Sequence, residues 1–204
     1  MIKEFKFDDS TAIDIAPEFT VFCDMDGTLV DTDYANYLSY RRATLEVTCG
    51  THDIEFTDDR IDRESLKKLF PPLTTSQLEI ITALKTGFFM EFVSETRLNT
   101  ALAHLIKNHC GKNTIALVTC CRKNRAVEVL KHHKLFECFS RLICWEDLPQ
   151  GSSNKYENAI KLTGISQETI FIFENDNSCI EEAVLAGVPR SNISKVFLEK
   201  IRTP

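Results

Sequence analysis

Two periods divide the chain. Short runs of β-branched and aromatic residues alternate with longer stretches in which apolar positions return every three or four residues, the spacings of strands and of amphipathic helices. The first run, residues 19–23 (FTVFC), stops at the acidic, glycine-containing Asp24-Met25-Asp26-Gly27-Thr28, which predicts a strand and its exit loop. From 34 to 92 only helical spacings occur: Tyr37, Leu38, Tyr40 and Leu45, then Leu66, Leu69 and Phe70, then Leu78, Ile81, Leu84 and Phe88. Pro71-Pro72 breaks this segment, and Thr74-Thr75-Ser76 offers an N-cap for the helical stretch containing Leu78 and Ile81. Alternation then resumes. Helices are predicted over 97–109, 124–133, 155–162 and 179–186, three of them followed by Gly111, Gly164 and Gly187 as stop signals. Strands are predicted over 114–118, 141–144, 169–173 and 195–198, and Ile2, Phe5 and Phe7 hint at an added edge strand.

This order predicts an α/β fold: a doubly wound parallel sheet with helices on both faces, built from 1–33 and 93–204, with an all-helical insertion at 34–92. Composition agrees. A hydrophobic share of 43% in 204 residues can fill a core, and only 7 Gly and 6 Pro argue against a turn-rich all-β sandwich. Charge narrows the partners. With 24 basic against 30 acidic side chains the net charge is −6, which argues against nucleic acid and membrane surfaces, since both demand a basic field. No run approaches a membrane span. The charged start MIKEFKFDDS lacks the apolar region of a signal peptide, so a cytoplasmic protein with eight reduced cysteines is expected. Adjacent pairs, Cys120-Cys121 and His132-His133, do not have zinc-site spacing.

In an open parallel sheet the reactive crevice lies beyond the carboxyl ends of the strands. Asp24 and Asp26 follow the first predicted strand, Thr119 the second, and Glu174-Asn175-Asp176 a later one. Each alone suits a turn, a strand end or a helix cap. Together they gather oxygen-rich side chains at one sheet edge.

Those residues carry a resemblance. Asp24-Met25-Asp26-Gly27-Thr28-Leu29-Val30-Asp31 is similar to DxDGTLxD, the first motif of the haloacid dehalogenase-like (HAD) hydrolase superfamily. Thr119 after Ile-Ala-Leu-Val resembles the second motif, Lys155 the third, and Phe173-Glu174-Asn175 the fourth. The spacing from Glu174 to Ala186-Gly187 resembles the FED…AAxxAG ending of the phosphoglucomutase-like branch. The resemblance implies a Rossmann-like core with a helical cap inserted after the first motif. It further implies Mg²⁺-dependent hydrolysis of a small phosphorylated metabolite through an aspartyl-phosphate.

The implied roles follow physical demands. A phosphate monoester repels anionic attack, so a fixed nucleophile and a cation are needed. The resemblance makes Asp24 the nucleophile and Asp26 the general acid and base, whose proton a neighbouring carboxylate helps retain. Thr119 and Lys155 complete the implied catalytic set and, with Gly27 and Thr28, would bind the phosphate: Thr119 donates a hydroxyl bond, and Lys155, a point charge, stabilises the nucleophile and the transferring group. Asp24, Asp26, Glu174 and Asn175 would hold Mg²⁺, a hard cation suited to oxygen ligands. Two departures stand out: Lys155-Tyr156 where the family has Lys-Pro, and Glu174-Asn175 where this branch has Glu-Asp, which removes one negative charge from the metal site. Asp26 also favours phosphoryl transfer over carbon–halogen cleavage, because halide leaves without a proton.

The cap would choose the substrate. Arg41, Arg42, Lys67 and Lys68 are candidate contacts but also suit solvated helix faces, and Tyr34, Tyr37 and Tyr40 suit either a cleft lining or packing. Two other functions share the site: a phosphosugar mutase, and a weakly active phosphometabolite-binding protein motivated by Asn175. Oligomeric state has no signal in the sequence.

Overall fold

In the computed structural model, which describes residues 14–57, 60–149 and 154–198, the apolar runs pair into one parallel sheet. The tentative edge strand at Ile2, Phe5 and Phe7 lies outside the described residues. In chain order the elements are β1 (Thr20–Cys23), β2 (Val30–Asp31), α1 (Asp33–Val47), α2 (Arg63–Leu69), α3 (Thr75–Phe88), β3 (Arg97–Leu98), α4 (Thr100–His109) and β4 (Thr114–Val118). Then come α5 (Lys123–His132), β5 (Arg141–Ile143), α6 (Lys155–Thr163), β6 (Ile170–Glu174), α7 (Asn177–Leu185) and β7 (Ile193–Lys195), with short 3₁₀ turns between several of them. The sheet order is β5-β4-β1-β6-β7, all parallel. This is the doubly wound α/β, Rossmann-like fold predicted from the alternation.

Both sheet faces are buried, which is why the strands read as continuous apolar runs. Phe22, Ala116, Val118, Ile143, Ile170 and Ile172 pack with Tyr156, Ala159 and Ile160 of α6 and Ile180 and Ala183 of α7. The intervening Val21, Cys23, Ile115 and Leu117 point the other way by strand alternation and are equally inaccessible. On α4 and α5, Leu102, Ala103, Ile106, Ala126, Val129 and Leu130 are buried without joining the first cluster.

Several predicted boundaries move. The helix expected from 97 starts at Thr100, because Asn99 caps it by accepting the N–H of Leu102 (3.1 Å). Asn99 also donates to Leu29 O (2.9 Å) and Thr28 O (3.2 Å), fastening the loop after β1. The last strand is Ile193–Lys195 rather than 195–198: Ile193, Ser194 and Lys195 pair with Ile172, Phe173 and Glu174, and Val196 gives a last N–H to Glu174 O (2.8 Å) before the chain leaves the sheet. The helix expected at 179–186 begins at Asn177, since Asp176 accepts from the N–H groups of Ser178 (2.7 Å) and Cys179 (3.1 Å). The eight cysteines are free, as expected, but only Cys23, Cys121 and Cys144 are buried, so packing alone does not account for them.

The chain forms two compact units, divided at Asp31/Thr32 and Arg97/Leu98. The second unit, Thr32–Arg97, has its own core of Tyr40, Ala43, Ile54, Ile61, Leu66, Leu73, Leu78 and Ile81. Its helix starts are set by capping boxes, Asp62 with Ser65 for α2 and Thr74 with Gln77 for α3. Arg41 is taken by Asp53 in a two-pronged pair (2.7 Å each), and Arg42 by Glu91 beside the ring of Phe88. Tyr34 and Tyr37 stack with each other and meet Phe56 edge-on, while Tyr40 is core. Among the described residues no helix is long and apolar enough to cross a membrane.

Candidate active site

The register of the sheet assembles the site. Cys23 lies level with Leu117 and Phe173, so the residues just beyond β1, β4 and β6 emerge at one edge: Asp24, Thr119 and the Glu174-Asn175-Asp176 turn. Asp24 remains locked to the sheet through its N–H, which donates to Phe173 O (3.1 Å).

Lys155, in the first turn of α6, reaches this edge from a distant part of the chain. Its ammonium donates to Asp24 Oδ1 (2.6 Å) and pairs with Glu174 Oε2 (2.7 Å). All three residues are buried, at 4%, 4% and 1% exposure for Asp24, Lys155 and Glu174. Glu174 is fully engaged. Its Oε2 also accepts the Tyr156 hydroxyl (2.7 Å), and its Oε1 accepts the N–H groups of Asn175 (2.9 Å) and Asp176 (3.0 Å).

One ammonium thus serves two buried carboxylates, and the imbalance falls on Asp24. Its pKa is raised to about 7 overall: burial pushes it up most, Lys155 pulls it down, and Glu174 and then Asp26 add to the rise. Burial works to lower Lys155, but Asp24 and Glu174 more than offset it, so the lysine stays charged well above its usual range. Burial, followed by the charge of Glu174, likewise raises the Tyr156 phenol and keeps it a donor.

The loop after Asp24 closes over the second carboxylate oxygen of that residue. Thr28 Oγ1 lies 2.9 Å from Asp24 Oδ2 and 2.9 Å from Asn175 Oδ1. Gly27 has φ +81°, and a Cβ there would stand 2.7 Å from Asn175 Nδ2, so the turn and the approach of Asn175 both require glycine. The N–H groups of Gly27 and Thr28 are used within the loop, donating to Val30 O (2.9 Å) and Met25 O (3.3 Å). Thr119 is held by its N–H to Ile143 O (3.0 Å); its hydroxyl accepts the Cys121 N–H (3.2 Å) and retains its proton to donate.

Asp26 is engaged elsewhere. Its Oδ1 pairs with Arg125 Nη2 at 2.5 Å, with the two side chains only 9% and 11% exposed. Arg125 was not among the residues expected from sequence. A signal was present, because Lys123 and Arg125 stand in the first turn of α5, where the helix dipole disfavours cations and an arginine needs an anionic partner. Tyr156 was visible as a departure from Lys-Pro, without its use. Asp176 is spent as the α7 cap, its carboxyl drawn below the usual range chiefly by the Ser178 hydroxyl, so Asn175 is the residue of that turn left facing Thr28. Among the described residues no three Asp, Glu, His or Cys side chains are grouped to hold a metal ion. Glu174 is turned to Lys155 and Tyr156, and Asp26 to Arg125.

Comparison with known proteins sets this geometry in a family. Residues 21–193 match the haloacid dehalogenase-like hydrolase family. The fold is similar to that of a candidate beta-phosphoglucomutase from Thermotoga maritima: 22% identity, 91% of this chain and 88% of that one covered, TM-score 0.67. A predicted phosphoglycolate phosphatase from Haemophilus somnus is similar at 17% identity, with 83% of each chain covered and a TM-score of 0.70. CbbY from Rhodobacter sphaeroides, solved in complex with phosphate, is similar at 18% identity over 87% of this chain and 86% of that one, TM-score 0.64. Among curated proteins there is no match.

Proposed function

As the chain belongs to the haloacid dehalogenase-like hydrolases, we propose that it hydrolyses a small phosphate monoester, with Asp24 as the nucleophile. One observation carries this reading: a lysine bridging two carboxylates, all buried, at the carboxyl edge of the sheet. A buried ion pair is a poor way to stabilise a fold, because desolvation cancels most of the attraction. Such a group of perturbed residues in a crevice is instead the mark of a reactive site.

Asp24 must be ionised to attack phosphorus, and the Lys155 ammonium on Oδ1 favours that form. Glu174 is assigned to Lys155 rather than to a metal: with Tyr156 it fixes the ammonium where charge accumulates on the transferring phosphoryl group. Thr119 has a hydroxyl proton for a phosphoryl oxygen. Asp26 would protonate the leaving alkoxide and afterwards take a proton from water. The Arg125 guanidinium sits on Asp26 Oδ1, so for Asp26 to give a proton to the alkoxide that pair would have to open.

The residues present fit a divalent cation. One ammonium leaves the two buried carboxylates with excess negative charge, and Asp24 Oδ2 and Asn175 Oδ1 converge on a hydroxyl with a single proton to give. Asp24 and Asn175 would hold Mg²⁺, with Asp26 adding an oxygen other than the one Arg125 engages. When bound, it supplies the charge that lets two anions approach.

Phosphate release from a panel of sugar phosphates and nucleotides, with and without Mg²⁺, tests the proposal. Asp24→Asn is expected to lose activity by roughly a thousandfold or more, and Asp26→Asn to lose more on alkyl phosphates than on p-nitrophenyl phosphate, whose leaving group needs no proton. Equal turnover by wild type and Asp24→Asn removes the reading. Isomerisation of a hexose 1-phosphate without phosphate release makes the enzyme a mutase.

A further inference from the structure

At the amino end of the sheet, away from Asp24, the turn entering β4 and the turn entering β5 enclose a cavity of about 300 Å³. Its walls include Asn113, Thr114, Glu137 and Ser140, and two cysteines, Cys110 and Cys138. Both thiols are free and partly exposed, and the Cys110 thiol lies close enough to Cys138 to act on it. Their backbones are held by neighbouring turns. The Cys110 N–H donates to Lys107 O (3.3 Å) and the residue bridges to Asn113, while the Cys138 N–H donates to Leu135 O (3.0 Å).

We propose that Cys110 and Cys138 form a redox-active dithiol that closes to an intramolecular disulfide, bracing this edge of the sheet. Two thiols on the wall of one pocket, each on a backbone tied into a turn and close enough for one to act on the other, are placed to reach bonding geometry. The oxidant is a low-molecular-weight disulfide such as oxidised glutathione. One protein thiolate attacks it and expels one glutathione thiolate; the second protein thiolate attacks the bonded protein sulfur and expels the other. Two electrons pass to the glutathione disulfide, and the two thiol protons end on the released glutathiones. Burial, and then the Cys110 thiol, push the Cys138 pKa up to about 11, so closure accelerates in mildly alkaline solution.

Other cysteines are placed differently. Cys121 and Cys144 are brought near each other by the Trp145 N–H, which donates to Cys121 O (2.9 Å), but both are buried away from reagents. Cys49 and Cys120 are exposed and serve as internal controls. The proposed bond closes a loop containing all of β4 and α5, and thereby removes freedom from the unfolded chain.

The full chain is reduced, freed of reductant, treated with oxidised glutathione at mildly alkaline pH, alkylated and peptide-mapped by mass spectrometry. The expected result is a linked peptide pair carrying Cys110 and Cys138, lighter than its parts by two hydrogens and separated by dithiothreitol, with Tm raised by several degrees. Cys110→Ser and Cys138→Ser each lose the link, and Cys120→Ser keeps it. Alkylated or separately glutathionylated Cys110 and Cys138 overturn the dithiol. A link that leaves Tm unchanged overturns the bracing role.

Discussion

Asn175 is the departure from the family pattern that removes a charge from the site; the other, Tyr156, adds a hydrogen bond to Glu174. Its carbonyl oxygen shares Thr28 with Asp24, and its amide packs on Gly27, so the space is that of a carboxylate of the same shape but the charge is missing. Asn175→Asp restores the charge beside Asp24. If this oxygen ligates Mg²⁺, the concentration giving half-maximal phosphatase activity falls by about tenfold, the scale of one added charged ligand; a Mg²⁺ titration that does not tighten removes Asn175 from the metal set. The oxygens of this site were legible in sequence because the DxDGT run and the Glu-Asn pair are local. Their long-range partners were not legible in the same way: Lys155, which reaches Asp24 across 131 residues, was expected only through the family resemblance, and Arg125, which reaches Asp26 across 99, was not expected at all, because only folding brings such partners together. For the same reason Glu174, readable as an acid after a strand, revealed its attachment to Lys155 and Tyr156 only in the structure.

Helix α5 shows how one element serves two ends. Its first turn delivers Arg125 to Asp26, and its C-terminus leads into His132 and His133, whose rings meet edge-on at 4.8 Å. Burial, followed by the charge of His132, lowers the His133 pKa to about 4. The sign of the linkage is then fixed. Unfolded His133 binds a proton below about 6.5 while the folded ring stays neutral to about 4, so the unfolded state gains protons and stability falls as pH drops through that window. Partial exposure moderates the effect. Urea midpoints measured between these pH values should fall less steeply for His133→Gln than for wild type; parallel slopes would mean that the imidazole does not titrate as described. Element types were legible here because the helical and strand periods are strong, whereas ends shifted wherever a side chain such as Asn99 or Asp176, or the pairing of Ile193 and Ser194, set the boundary.

At the scale of the molecule, the two compact units each carry their own apolar cluster, one around Phe22, Ile172 and Tyr156 and one around Leu66, Leu78 and Ile81. Separate clusters imply separately cooperative opening, since a foldon is held by the contacts within it. Leu66 is fully buried in the second cluster, and Leu66→Ala leaves a cavity costing about 2–5 kcal/mol. A unit the size of Thr32–Arg97 has little stability in reserve. Amide exchange in Leu66→Ala should therefore quicken by about thirtyfold or more in α1 and α3 and stay near wild-type rates in β1, β4 and β6. Ile172→Ala should do the reverse, exposing the sheet first. Equal acceleration in both units from either substitution would show a single cooperative structure, in which Thr32–Arg97 could not open without unfolding the strands that lead to Asp24 and Thr119.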